Sequence, residues 1–384
     1  MEASVSGGRF DIVVIGAGVA GGAFAATVAR NGMRVLLVER SAWPREKVCG
    51  CCLNGAAMSA LDRLGLGGTV ERSGAPLGSV RLRSGGREAS IARGGGVALS
   101  RGVLDALLVD RAGRCGVEFR ERTAGAVVDR DSDRWRVRLR TAERETSVSA
   151  GLVVCADGLN GGSLDLLDAF GVRVSKQSWF GAGAAVESAD AGPAAGVVEM
   201  NIGRHGYVGL VRLDDERVNI GAALDPVWTR RIGGPAAAVA AVLEDAGAPA
   251  LRVDGARFSG TGMLTRRRER VSAPGLLVVG DSAGYVEPFT GEGMAWALCG
   301  GVAAAEMVNA GMRGADLADA WTAWHAERVR PRQRVCAAVR GMLRRPRLVE
   351  GVLAVMGSFP AAARGAAYMA RSLERPYGDA GVTA

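Results

Sequence analysis

The sequence predicts an α/β protein with a parallel sheet near its N-terminus, an inserted antiparallel sheet and a helical C-terminus. Residues 10–39 read as an apolar strand, a glycine-rich turn, a helix and a second apolar strand. Residues 178–224 change to short alternating strands, which are typical of an antiparallel sheet. From about Ala315 onward the pattern is helical and rich in arginine. Because strands that alternate with helices favour a parallel sheet, the antiparallel segment is interpreted as an insertion.

The first turn, residues 16–21 (GAGVAG), carries a dinucleotide-binding pattern. Gly16 permits the tight turn, Gly18 lets backbone approach a pyrophosphate, and Gly21 lets helix and strand pack closely. Glu39 ends the second strand, where an acid accepts ribose hydroxyls and disfavours a 2′-phosphate. The pattern therefore predicts a Rossmann-like domain for FAD or NAD rather than NADP. The alternative is a glycine-rich turn that binds nothing, but such a turn does not require the flanking strands and the acid.

The remaining elements follow from hydrophobic periodicity and turn residues. Ser100 is placed to cap a helix that continues to Gly116 with an apolar stripe on one face. We predict further helices over 56–66, 236–246 and 291–310, and strands over 80–82, 89–92, 117–119, 125–129, 135–141, 145–149, 152–156, 196–202, 207–211, 217–222 and 276–279. The predicted domains are a discontinuous nucleotide-binding domain (1–75, 96–170 and 256–314), a substrate domain (76–95 and 171–255) and a C-terminal helical region (315–384).

Composition excludes several classes of protein. The 384 residues carry a formal net charge of +8, but only 5% are aromatic and no basic-aromatic interleaving occurs, so we expect no nucleic-acid partner. Seven scattered cysteines in a chain that runs almost directly into its first strand are interpreted as reduced thiols of a cytoplasmic protein. Only two histidines, His205 and His325, are present, and Cys49, Cys51 and Cys52 have no second cysteine pair, so no metal site is expected.

Two distant segments extend the first motif. Asp157-Gly158 closes a buried strand, and Gly280-Asp281 closes another before a segment that contains Pro288, Gly291, Gly293 and Met294. In this order and spacing the three motifs resemble the FAD-dependent aromatic-hydroxylase and geranylgeranyl-reductase superfamily over most of residues 10–310. The resemblance implies a glutathione-reductase type, p-hydroxybenzoate-hydroxylase-like fold with FAD as cofactor.

The resemblance also implies residue roles. Asp281 would accept sugar hydroxyls, and Pro288 would shape the wall beside the flavin. Gly291 and Gly293 would begin a helix, followed by Met294, whose amides face the flavin pyrimidine edge, where a helix N-terminus stabilises negative charge. Asp157 belongs to the second cofactor motif.

A basic segment, residues 44–50 (PREKVCG), resembles one in the geranylgeranyl-reductase branch. It implies cofactor contacts from Arg45, Lys47 and Cys49, and Arg101 matches a family arginine near the flavin. Arg40, which follows Glu39, is included among the cofactor-binding candidates. The alternative for the segment is a solvated basic loop, and apolar packing is the preferred interpretation of the cysteine cluster over a redox thiol.

Departures from the family pattern leave the reaction open. No arginine follows Asp157-Gly158, and no second glycine fingerprint exists, so electrons are expected from transiently bound NAD(P)H or from a protein partner. The tryptophan and proline of prenyl reductases and the two-tryptophan signature of halogenases are absent near Tyr207. We therefore expect a monooxygenase that hydroxylates a lipophilic or aromatic small molecule. The alternative is a reductase of C=C bonds in a prenyl or polyketide substrate, ahead of a halogenase or a non-catalytic FAD-binding protein.

Side-chain candidates for the substrate side are weaker. On one strand His205 and Tyr207 would share a face and could orient a phenol or carbonyl, although structural roles are the simpler interpretation. The C-terminal arginines and the apolar stretch 348–369 predict helices that cover the pocket with a solvated face. The alternative is an amphipathic surface in peripheral contact with a membrane. The sequence does not predict an oligomeric state.

Overall fold

The computed structural model describes residues 8–28, 32–187, 192–253, 255–287 and 289–373. A central eight-stranded sheet forms the first layer of the fold. Its main path runs β19-β20-β11-β1-β2-β8, and the hairpin β9-β10 adds to β11. The strands are β1 (Arg9–Ile15), β2 (Val35–Val38), β8 (Glu118–Arg120), β9 (Ala124–Asp131), β10 (Arg134–Arg140), β11 (Glu145–Cys155), β19 (Ser272–Ala273) and β20 (Leu276–Val278).

The core of this sheet is parallel, because β1 lies between β11 and β2 and both pair with it in parallel. Such strands are buried on both faces, which explains their continuous Val, Ile and Leu runs. Helix α1 (Val19–Val28) is buried at every residue. It packs so closely on α7 (Gly293–Asn309) that a Cβ on Gly301 would lie 2.4 Å from the Ala20 carbonyl oxygen. Small residues thus allow α1 and α7 to pack closely against each other.

A second, seven-stranded sheet follows the order β17-β13-β16-β15-β14-β5-β6. It is antiparallel except where β14 and β5 pair in parallel. Its strands are β5 (Ser79–Ser84), β6 (Arg87–Ala92), β13 (Phe180–Val186), β14 (Val197–Gly203), β15 (Gly206–Arg212), β16 (Val218–Leu224) and β17 (Ser259–Met263). Strands from residues 79–92 and 180–263 therefore share one sheet, whereas the domain limits given above remain a prediction.

Two small sheets and the remaining helices complete the fold. The small sheets combine β3 (Cys52–Leu53), β7 (Val97–Ala98) and β4 (Ala75–Pro76), and β12 (Val172–Val174), β18 (Arg266–Arg268) and β21 (Gly284–Tyr285). The helices are α2 (Gly55–Arg63), α3 (Gly67–Ser73), α4 (Arg101–Arg114), α5 (Pro226–Arg231), α6 (Pro235–Ala246), α8 (Gly314–Trp324), α9 (Arg330–Leu343), α10 (Pro346–Ser358) and α11 (Pro360–Leu373). Within the described residues, no helix is both long and apolar enough to cross a bilayer.

The structure refines several sequence predictions. The Ser100 hydroxyl caps α4 by accepting the Val103 N–H at 3.3 Å, as predicted. The two strands predicted over 145–149 and 152–156 are one strand, β11, which pairs with the β10 hairpin at its start and with β1 along most of its length. Its two partners overlap at Ser149 and Ala150, which keeps the strand continuous between the two predicted segments.

Candidate cofactor and substrate site

The glycine turn between β1 and α1 has no room for side chains. Gly16 has a φ of +102°, and a Cβ on Gly21 would lie 1.9 Å from the Gly16 carbonyl oxygen. Around Gly18 the nearest atoms to an added Cβ are guanidinium nitrogens of Arg45 and Arg101, at 3.4 and 3.6 Å. Backbone amides at a helix N-terminus therefore face two arginines across Gly18. This arrangement suits an anionic group such as a pyrophosphate.

A buried carboxylate holds those two arginines in place. Asp105 accepts a two-point hydrogen bond from Arg101 at 3.1 and 2.8 Å and forms a 3.2 Å ion pair with Arg45. Burial by itself would lower the pKa of Arg101, but the negative charges of Asp105 and Cys49 raise it well above its ordinary value. Asp105 thus holds both guanidinium groups beside the turn, and Arg45 is paired with Glu39 as well.

Glu39 lies at the end of β2, as the dinucleotide pattern predicts. Its carboxylate accepts N–H groups from Ala17 at 3.2 Å and Ser41 at 3.1 Å, and Arg45 lies 3.3 Å away. Burial opposes ionisation, but Arg45 and the two backbone N–H groups outweigh it and lower the Glu39 pKa. The Arg40 guanidinium donates to the Asn160 carbonyl oxygen at 3.1 Å. Glu39 is therefore ionised at neutral pH and can accept hydroxyls.

The second and third motifs meet through Ser282. Its hydroxyl donates to Asp157 at 3.0 Å and accepts the Gly158 N–H at 2.7 Å. Gly158 and Gly280 both have positive φ values, +76° and +63°, so glycine is needed at each turn. Asp157 also accepts the Ser163 N–H at 2.9 Å. Turns that lie more than 120 residues apart are thereby fixed against each other.

Asp281 projects from the third turn into the groove. Burial raises its pKa, although Lys47, Arg101 and Arg266 oppose the shift. The pKa of Lys47 is lowered, first by burial and then by repulsion from Arg101. Both groups are forced toward neutrality because the groove is poorly solvated. A polar ligand that hydrogen-bonds to them would relieve this cost.

The start of α7 provides the flavin-edge part of the predicted site. Gly291 has a φ of +75°, and Gly291, Gly293 and Met294 line the cavity together with Asp281. Glu292 is fully buried and accepts the Asn54 side-chain N–H at 2.9 Å, which fixes the first turn of the helix. Pro288, for which the resemblance implies a wall position, lies outside the described residues.

Two adjoining cavities trace a continuous path for a long ligand. One contains Gly16, Glu39 and Arg40; the other contains Gly18, Arg40 and Asp281, and Asp157 lines both. The second has an internal volume of about 250 Å³ and opens to solvent. The glycine cradle, the ionised acid and the paired arginines fit FAD, and the second cavity continues beyond them as additional space along the seven-stranded sheet.

That extra space is mostly apolar. It is bounded by Val48 and by strands of the seven-stranded sheet, and its lining includes Val80, Val198, Met200, Leu210, Val211, Leu264 and Phe289. Gly209 and Gly221 widen it, since a Cβ on Gly221 would lie 3.3 Å from the Gly50 backbone. Arg93 also lines this cavity and places a positive charge beside Cys52. The composition suits a lipophilic molecule with one polar end.

Cys49 joins the cofactor half to this apolar half. The Cys51 thiol hydrogen-bonds to it, and together with the Arg101 guanidinium this lowers the Cys49 pKa to about 6, although burial opposes the shift. Asn219 fixes the Cys49 carbonyl by donating to it at 3.0 Å. Burial instead raises the pKa of Cys52 to about 11. Neighbouring cysteines thus differ sharply, and Cys49 is the one with thiolate character.

The two substrate-side candidates occupy different environments. Tyr207 is buried, lines the cavity and packs edge-on against Phe289 at 5.2 Å between ring centres. Its hydroxyl has no hydrogen-bond partner within the described part of the chain, and burial raises its pKa well above the ordinary value. His205 lies before β15, in the exposed turn, and stacks on Trp228 at 4.7 Å. The two residues do not share a strand face, because the strand begins at Gly206.

Sequence reasoning missed Asp105, Ser282 and Asn54. Asp105 follows Arg101 by four residues on α4, a spacing at which opposite charges pair, so a signal existed. Ser282 and Asn54 act across 124 and 238 residues of sequence, respectively. No local pattern could have revealed those two contacts.

Comparison with known proteins identifies the class. Residues 9–339 match the family model described as FAD binding domain, and the chain belongs to that family. This confirms the resemblance inferred from the three motifs. The protein is therefore an FAD-dependent oxidoreductase by family, with several different reactions among its relatives.

Two relatives align over most of their length. Menaquinone reductase of Mycolicibacterium smegmatis is 29% identical over 351 residues, which cover 79% of this chain and 77% of the relative. Digeranylgeranylglycerophospholipid reductase of Methanocaldococcus jannaschii is 26% identical over 317 residues, which cover 78% of this chain and 77% of the relative. A match at 30% identity to conditioned medium factor receptor 1 of Dictyostelium discoideum spans only 33% of that protein.

Solved structures agree on the fold. A triple mutant of a flavin-dependent brominase superimposes with a TM-score of 0.78 at 18% identity, covering 96% of each chain. The p-nitrophenol 4-monooxygenase of Pseudomonas putida gives a TM-score of 0.74 at 15% identity, covering 96% of this chain and 99% of that one. These likenesses confirm the predicted p-hydroxybenzoate-hydroxylase-like fold and carry nothing about the reaction.

Proposed function

We propose that this protein is an FAD-dependent reductase that saturates a C=C bond of a lipophilic substrate. The observation that carries the proposal is Cys49, a thiol of lowered pKa that lines the cavity where the cofactor groove meets the apolar space. Saturation of a C=C bond adds a hydride to one carbon and a proton to the other. Reduced FAD supplies the hydride when it is bound.

Cys49 is assigned as the source of the proton. With a pKa of about 6 in the free protein, a minor fraction carries the proton at neutral pH. Negative charge that enters the cavity favours the protonated form and raises that fraction. Arg101 stabilises the thiolate left after proton transfer, since it interacts directly with Cys49. Hydroxylation requires no such group, because orientation and exclusion of water suffice for it.

The substrate class follows from the cavity lining. Val198, Met200, Leu210 and Val211 present apolar side chains, so a hydrocarbon tail gains free energy by entering. Two relatives with broad coverage are named as reductases of menaquinone and of a digeranylgeranyl phospholipid, which supports a prenyl-type substrate. We propose NAD(P)H as the transient electron donor, and anaerobic titration with each nucleotide tests this by the bleaching of flavin absorbance.

The reaction itself is tested with chemically reduced holoenzyme, so that the natural donor need not be known. The FAD-loaded protein is reduced with dithionite under anaerobic conditions and mixed with geranylgeraniol or geranylgeranyl phosphate. We expect flavin reoxidation together with a product that has gained two hydrogens, detected by mass spectrometry. In a parallel aerobic reaction, a product that gains one oxygen and no hydrogens would replace the proposal with the hydroxylase predicted from sequence.

A further inference from the structure

The C-terminal helices expose a concentration of large apolar side chains. Leu348 and Val355 are 47% and 51% exposed, and Phe359 and Tyr368 are both 62% exposed. These four lie within 21 residues of one another, on α10 and α11 or at their junction. Isolated exposed apolar residues need no explanation, but a cluster indicates an interaction surface. We call Leu348, Val355, Phe359 and Tyr368 the C-terminal apolar face.

On α10, the exposed and the buried apolar side chains occupy different parts of the helix surface. Val349, Leu353 and Met356 form its buried face. Leu348 and Val355 are spaced by seven residues, so at about 100° per residue they project in nearly the same direction, roughly 100° around the helix from the centre of that buried face. Phe359 directly follows the last residue of the helix. The apolar surface of α10 therefore extends from its buried positions onto positions that face solvent.

Charge surrounding the face has one dominant sign. Residues 340–371 contain six arginines and a single acid, Glu350. Arg345, Arg347 and Arg364 are exposed, and they flank the apolar side chains along the chain. A second copy of this basic surface would be repelled, whereas an anionic surface would be attracted. Exposed Phe, Leu and Tyr among arginines are typical of helices that lie in the interface of a membrane.

We propose that the C-terminal apolar face docks onto an anionic lipid bilayer. The apolar side chains enter the headgroup boundary while the arginines contact lipid phosphates. Helix α10 packs against β5 and β6, and Val80 of β5 lines the substrate cavity. The role of the membrane contact in substrate uptake rests on the proposed function. A lipophilic substrate would thus be collected from the membrane beside the sheet that binds it.

The test is sedimentation of the FAD-loaded, full-length protein with vesicles. We expect most of the protein to pellet with vesicles of equal parts phosphatidylglycerol and phosphatidylcholine at low salt, and little with pure phosphatidylcholine. The double variant Leu348→Ser/Phe359→Ser should lose at least tenfold in partitioning. Val227→Ser, at a 48% exposed valine on α5, is the matched control and should bind like the parent.

Retained flavin and an unchanged melting temperature show that each variant is folded. Equal pelleting of the parent and the double variant would overturn the proposal, as would an equal loss in Val227→Ser. A concentration-dependent dimer in ultracentrifugation, lost in the double variant and without vesicle binding, would assign the face to self-association instead. Vesicle binding does not require turnover. An active reductase that does not pellet would therefore overturn only the membrane proposal, and a protein that pellets without reductase activity would overturn only the proposed function.

Discussion

The cofactor groove and the substrate cavity share one space but are built on different principles. The groove consists of glycine turns and charged groups with defined partners, such as Asp105 between Arg45 and Arg101. The cavity is lined by residues of β14, β15 and β16, such as Val198 and Met200, with Arg93 as a charged member of its lining. Directional polar contacts tolerate few replacements, whereas apolar surfaces of similar volume are interchangeable. This difference indicates that the groove is adapted to one cofactor, whereas the lining of the cavity can change with the substrate.

The largest expected effect is on FAD affinity and comes from a substitution in the glycine turn of the groove. Gly21→Ala places a Cβ against the Gly16 carbonyl oxygen, where the distance would be 1.9 Å. Because both groups are backbone-anchored, the turn must move, and we expect FAD affinity to fall by a factor of at least ~100 by analogy with misplaced binding groups. Visible flavin absorbance of the purified protein and calorimetric titration with FAD measure this.

Gly113→Ala on α4 is the control, since no atom lies within 4 Å of a Cβ at that position. It should retain FAD and gain a little stability, because alanine is the better helix former. Normal FAD affinity in Gly21→Ala would show that the turn does not cradle the cofactor.

The next effect concerns the buried charge cluster. Asp105→Asn leaves Arg101 and Arg45 without their shared carboxylate, and removal of one partner from a buried pair costs about 3–5 kcal/mol of unfolding free energy. Urea denaturation followed by circular dichroism measures the loss. Asp110→Asn on the same helix removes an exposed pair with Arg114 and should change stability by less than ~0.5 kcal/mol. Similar losses in the two variants would contradict the special position of Asp105.

The next prediction concerns Cys49, which lies between the cofactor groove and the substrate cavity. Cys49→Ser should slow saturation of the substrate roughly 100-fold, the smaller end of general-acid effects, and leave FAD binding intact. Alkylation of the parent by iodoacetamide should accelerate as pH rises through about 6, because the thiolate is the reactive form above its pKa. Cys52→Ser is the control, since burial keeps the Cys52 thiol protonated up to a pKa of about 11. Unchanged turnover in Cys49→Ser would remove the proton-donor role.

The smallest expected effect is on substrate preference and comes from a substitution in the cavity lining. Met200→Phe narrows the apolar space near Gly209, whose added Cβ would lie 3.1 Å from the Met200 sulfur. We expect kcat/KM to shift roughly tenfold toward shorter substrates, the scale of a few methylene groups in an apolar pocket. FAD affinity should not change. Competition between two prenyl alcohols of different length measures the preference, and an equal loss for both would indicate general damage instead.

Sequence reasoning succeeded where chemistry demands particular residues at fixed spacing. Gly16, Gly18, Gly21 and Glu39 could be interpreted from a single βαβ unit because a strand, a turn and a helix set their positions locally. It was weaker for single polar residues on the inserted sheet. His205 was paired with Tyr207 by strand periodicity, yet the strand starts one residue too late for this, and the histidine stacks on Trp228 in an exposed turn.

The sequence by itself therefore determined the FAD-binding class, the fold and the order of three cofactor turns, because each depends on glycine conformation and on charges at local spacing. Only the tertiary structure decided that Ser282 joins two of those turns, that Asp105 balances two arginines and that Cys49 lies beside an apolar cavity. Those contacts join residues brought together by folding, and burial there changes the ionisation of groups that would titrate ordinarily in water.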